Sequence, residues 1–194
     1  MKAQISYEEA LPIFNQYLKT DYLRKHSLET DVIMRKLACR IQEDETFWGI
    51  TGLLHDLDSD IIEGNNAHHG YKTVEILKES GFDMPEMFQA ILSHTEGMDD
   101  KRPKRRSVLD YCLAGVENIT GIITAYVILR PEGKLEGTKP KSIRKKLEDK
   151  SFAASVNREF IADAVSTLSM DESDFIQLSI DGSRNRDVNL KVAL

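Results

Sequence analysis

Cysteine is nearly absent: only Cys39 and Cys112 occur in the chain, far apart. That excludes a disulfide framework and any Cys-based metal motif, and it suits a reducing compartment. Strand alternation is almost wholly missing, whereas apolar residues at helical spacing recur nearly everywhere. The most apolar late run, Ile119 to Leu129, is too short to span a bilayer. Nothing near Met1 has a signal-peptide pattern, and no internal repeat or low-complexity tract appears. The basic runs are not interleaved with aromatics, and the formal charge is −6, so a nucleic-acid groove is not expected. These absences lead to the expectation of a cytoplasmic protein without membrane or nucleic-acid partners. A length of 194 residues suits one domain with a real core.

What is present is a succession of helices. Ser6 is placed to cap a helix from Tyr7 to about Leu18, and Asp21 one running to about Ile41. The stretch Glu45 to Leu57 is apolar on every side and reads as a buried third helix. A polar loop, Asp58 to Ala67, precedes a helix from about His68 to Ser80, and Pro85 opens another to His94. Ser107 could cap a long helix to about Leu129. Three shorter helices are expected over Pro140–Lys150, Asn157–Leu168 and Glu172–Ile180, with a frayed tail after Gly182. The run Lys101-Arg102-Pro103-Lys104-Arg105-Arg106 has the ordinary meaning of a solvated loop.

The buried third helix ends in His55-Asp56, an imidazole and a carboxylate where ionisation is costly without a partner. All five histidines fall between His26 and His94. His26 lies on its helix's apolar stripe, His94 follows Met87 and Ala90 inward, and His69 shares a face with Thr73 and Ile76 while His68 lines up with Lys72 and Glu75. Four inward histidines beside one Asp suit a divalent ion. For each histidine singly, a packed core residue is the simpler explanation; the set favours metal. Asp58 and Asp60, just beyond the pair, read as solvated loop acids.

The order His26, His55-Asp56, His69, His94 and then a carboxylate on a later helix resembles the HD superfamily of metal-dependent phosphohydrolases, over roughly residues 20 to 130. The segment Leu135 to Ile161, with Lys139-Pro140-Lys141-Ser142 and Lys145-Lys146, is similar to the tail of short bacterial members. The resemblance implies an all-α, single-domain helical bundle with the metal-binding core at about 20–130 and basic helices at about 139–182. It implies a first ion held by His26, His55, Asp56 and Glu117, with Asp110 one face-equivalent alternative to Glu117. The family carries Asp where Glu117 stands. Asp56, His69 and His94 would carry the catalysis or complete a second site, and Lys141, Lys145 and Arg158 would contact substrate.

The function so implied is hydrolysis of a small phosphorylated compound, a nucleotide among the candidates, with one or two divalent ions (Mn, Fe, Co, Ni or Mg). Two other classes stay open: a di-iron oxygenase of related fold, and a catalytically degenerate ligand- or partner-binding module. The sequence leaves oligomeric state undetermined.

Overall fold

The computed structural model describes residues 1–184. Helices α1 (Tyr7–Tyr17), α2 (Asp21–Ile41), α3 (Glu45–Leu54), α4 (Tyr71–Glu79) and α5 (Pro85–Ser93) make up the first half of the chain. Helices α6 (Val108–Ile128), α7 (Pro140–Glu148), α8 (Arg158–Thr167) and α9 (Glu172–Ser183) complete it. No strand forms among the described residues; Lys2 merely makes one parallel bridge to Phe82. The fold is all-α, as its apolar periodicity predicts. The expected frayed tail lies mostly outside the described residues, and α9 itself runs one residue past Gly182.

Local chemistry explains most boundaries. Ser6 with Glu9, and Ser107 with Asp110, form reciprocal capping boxes that satisfy two backbone donors each. Asp44, Asn157 and Asp171 cap α3, α8 and α9. Helix α2 departs from expectation, because Thr20 occupies the cap position without a side-chain cap. Asp60 supplies what is missing: its carboxylate accepts from the backbone N–H of Lys19 and Thr20 and from the Thr20 hydroxyl. Asp60 is therefore an anchor between distant segments, not a solvated loop acid. Helix α4 also starts later than its periodicity suggests, at Tyr71, after a short 3-10 turn over Asn66–His68.

Two apolar clusters fill the interior. One gathers Ile33, Met34 and Leu37 of α2 with residues of α6, α8 and α9. The other gathers Phe14, Leu53, Leu54, Leu77 and Ile91 from α1, α3, α4 and α5. Helix α2 also gives Leu28 to the second cluster, so it runs along the seam between the halves. Helix α6 is long and apolar enough to cross a membrane by composition alone. Here most of it is buried by α2, α5, α7, α8 and α9, as in a core helix.

The close approach of α2 to α3 is what brings their histidines within reach of each other. A Cβ on Gly52 would stand 2.9 Å from the carbonyl carbon and oxygen of Thr30, backbone atoms that cannot rotate away. Absence of a side chain at Gly52 lets the two backbones touch, at points four residues after His26 and three before His55. We expect Gly52→Ala to destabilise the protein by about 1–3 kcal/mol, the usual cost of overpacking. Urea unfolding monitored at Trp48 measures it; an unchanged midpoint would show that the helices can part without cost.

Candidate metal centre

Each histidine of the cluster sits where a helix ends or crosses the seam. His55 and His94 occupy the positions just after α3 and α5. Each turns its Nδ1–H back onto the carbonyl three residues earlier, Gly52 and Ile91 respectively. Those carbonyls are among the last of their helices, which lack intrahelical donors. His26 projects from α2 and donates Nδ1–H to the Thr120 hydroxyl at 3.0 Å, which in turn donates to the Glu117 carbonyl at 2.6 Å. His69 follows the 3-10 turn and donates Nδ1–H to Asp58 Oδ1 at 2.8 Å. In all four rings the acceptor on Nδ1 sets the ring's orientation and turns Nε2 inward.

Those four Nε2 atoms converge on Asp56. Its Oδ1 lies 3.3 Å from His55, 3.3 Å from His69 and 3.6 Å from His94, and its Oδ2 lies 3.8 Å from His26. Nε2 of His26 and His55 are 3.3 Å apart, and those of His69 and His94 are 3.2 Å apart. With both protons on Nδ1, His26 and His55 cannot hydrogen-bond to each other through Nε2, and their lone pairs oppose; at His69 and His94 the same holds once His69 has lost its Nε2 proton. Asp56 Oδ1 is buried without a hydrogen-bond partner. An unpartnered carboxylate oxygen among lone pairs is the donor set a divalent cation satisfies. Two groups have ligand atoms mutually within 4.8 Å: His26, His55 and Asp56, and Asp56, His69 and His94. Asp56 belongs to both.

The electrostatics agree. Burial pushes the His26 imidazole down to about 4 and His94 well below the ordinary range, so both stay neutral. Burial works against ionisation of Asp56 too, but the surrounding imidazoles outweigh it and hold the carboxyl well below the usual range. His69 goes the other way: burial alone would lower it, yet the Asp58 hydrogen bond and the charges of Asp56 and Asp58 lift it to about 9. Burial and the neighbouring Asp56 charge raise Glu117 to about 8.

A pocket of about 380 Å³ opens onto this cluster, with His26, Asp56 and Glu117 on its floor. The family model of the HD domain matches residues 23–150, about two thirds of the chain. The chain belongs to the HD domain family. No curated protein and no solved structure matches it. Within the matched residues, His55 and Asp56 sit in a cluster able to bind metal.

The structure brings His26, His55, Asp56, His69 and His94 together. Glu117 faces the same pocket, though its carboxylate belongs to neither ligand group and accepts instead from the Asn118 amide. Asp110, the alternative, is fully buried elsewhere in its capping box, accepting from Arg106, Ser107 and Gln89. His69 rather than His68 joins the cluster, and His68 is exposed. Helical phase is not what selects it, however, because α4 begins only at Tyr71.

The three expected substrate contacts do not line this pocket. The Arg158 guanidinium is spent on carbonyls of Leu147, Asp149, Phe152 and Val156, fastening the turn before α8. Lys141 and Lys145 are exposed on α7 and do not line the pocket.

Two residues that read as solvent-facing in the sequence prove structural. Asp58, fully buried, accepts from Gly70 N–H at 2.6 Å and Thr73 N–H at 3.1 Å as well as from His69. One carboxylate thereby caps α4, whose own cap position is a glycine, and orients a ring of the cluster. Arg102, from the supposedly solvated basic loop, is buried over the Tyr71 ring and donates to the carbonyls of Asn66, Ala67 and His69. It clamps the turn that delivers His69. The spacing Asp56-Leu57-Asp58, with an apolar residue between two acids, was the available signal for Asp58.

The His69–Asp58 pair yields a direct expectation. In metal-free protein, Asp58→Asn removes the charge and the anionic acceptor that raise His69. Its pKa should fall from about 9 toward the ordinary imidazole value. Imidazole shifts followed by NMR titration check this; a pKa still near 9 would assign the elevation to Asp56 alone.

Proposed function

We propose that this HD-domain protein is a divalent-metal-dependent phosphohydrolase acting on a small phosphorylated compound. The observation supporting it most is the convergence of four Nε2 atoms on one buried carboxylate, one of whose oxygens is unpartnered, at the floor of an open pocket. His26, His55 and Asp56 would hold one ion, and Asp56, His69 and His94 a second, with Asp56 shared. Glu117 would complete the first set. Burial, with the Asp56 charge, raises the cost of ionising Glu117 in the same pocket, and a cation there would offset it.

Bound there, divalent ions would lower the pKa of a coordinated water and neutralise charge on a phosphoryl oxygen. The chain's own residues set the rest. Asp58 and Arg102 hold His69 in register, Thr120 holds the His26 tautomer, and burial of His94 keeps it neutral. The apolar walls of the pocket limit water at the reacting centre.

The first test is chemical. Activity on a phosphomonoester should vanish with chelator and return with Mn²⁺, Co²⁺ or Ni²⁺, and Asp56→Ala should abolish it more completely than any other single change. His68→Ala should leave it unchanged. Absence of metal binding in the wild type would contradict the enzyme reading. Glu117→Asp tests the fourth ligand: a shorter side chain on the same backbone should weaken metal binding, and tighter binding would show that Glu117 is not tuned to this site.

The second test uses pH. His69 and Glu117 keep protons up to about 9 and about 8 in the metal-free protein. An ion must displace those protons, so affinity should be low near pH 6 and rise as pH passes through these values. Calorimetry in buffers of different ionisation enthalpy reads the released protons. Affinity independent of pH over this range would mean the ion binds elsewhere.

A further inference from the structure

The pocket's walls differ in kind from its floor. Leu23, Ala125, Ile128, Ala153 and Val156 line it, with hydroxyls only from Tyr22, Thr124 and Ser155, and among the described residues no lysine or arginine does. Two large exposed residues with apolar bodies line it: Ile128 is 73% exposed and Tyr22 56% exposed. Large exposed apolar residues are ordinary singly, but collected at one pocket they mark a binding surface. Gly121 widens the interior. A Cβ there would stand 3.0 Å from the Val156 methyl, so any larger residue would intrude on the pocket. The volume of about 380 Å³ is at the small end for ligand sites.

A polyphosphate or nucleotide carries several negative charges and a base with hydrogen-bonding edges. The walls give the charges no basic side chain. The one buried amide there is committed, since Asn118 donates to the Ala114 carbonyl and to Glu117 and accepts from Asn157 N–H. A ligand with one anionic head on a cation at the His26–Asp56–Glu117 floor and an aliphatic body along the mainly apolar walls meets complementary surface over most of its length.

We infer that the pocket takes a monophosphorylated compound with an aliphatic body, bound head-first on the floor between α2 and α6. This rests on the phosphohydrolase reading for the reaction, but the ligand class is read separately, from the walls. Each methylene buried against them should tighten binding roughly threefold to fourfold until the pocket is full.

The test measures binding of methylphosphonate, hexylphosphonate and AMP to the full Mn²⁺-loaded chain by calorimetry, alongside hydrolysis of hexyl phosphate and AMP. Hexylphosphonate should bind at least about tenfold more tightly than methylphosphonate, and more tightly than AMP. Ile128→Ser, at an exposed position that does not endanger folding, should lower the hexyl-to-methyl ratio, and Gly121→Val should lower it further. AMP binding as tight as hexylphosphonate, no dependence on chain length, or no binding of any of the three would overturn the inference. Tight hexylphosphonate binding without hydrolysis of hexyl phosphate would uphold the ligand class and sink the hydrolase reading alone.

Discussion

A carboxylate oxygen buried among imidazole nitrogens is stable only while something positive shares its space. Asp56 Oδ1 is in that position, without a hydrogen-bond donor and within 3.6 Å of three Nε2 atoms. Much of the molecule serves this arrangement. The other nitrogen of every ring is occupied, by helix-end carbonyls for His55 and His94, by a hydroxyl for His26 and by a second buried carboxylate for His69. Without those partners each ring could change tautomer or rotate, and the inward lone pairs would be lost. In metal-free protein the elevated His69 supplies one proton as counter-charge to Asp56.

The same constraint organises the helices. His26 and His55 can meet only if α2 and α3 touch, and Gly52 against Thr30 permits it. The loop from Asp58 to Gly70 would be free to wander, yet Asp60 ties it to the start of α2, Asp58 to the start of α4, and Arg102 to the basic loop after α5. Helix α6 gives its apolar side to the core and places Glu117 and Thr120 at the seam. Function and fold therefore draw on the same close contacts, and changes far from the pocket, such as at Arg102, act through His69.

Helix existence and type are legible from periodicity, because apolar spacing and capping residues act within a few positions. The metal cluster is legible because its histidines mostly keep apolar phase and match the family's order. What periodicity does not show is the fate of charged residues. Arg102 is buried, and Arg105 and Arg158 partly buried, against aromatic rings or carbonyls that no periodicity announces. Asp58 and Asp60 look like loop acids for the same reason: their partners lie 15 residues ahead and 40 residues behind. Periodicity points to His69 through a helix that does not extend to it; its inward direction comes from Asp58 and Arg102 instead.

The central claim is that Asp56 bridges two cation positions defined by these histidines. Diffraction from crystals grown with Mn²⁺, with an anomalous difference map, tests it most directly. Two peaks should flank the Asp56 carboxylate, one against His26 and His55 and the other against His69 and His94. A map with no peak there, or with manganese bound only at other carboxylates, would contradict it.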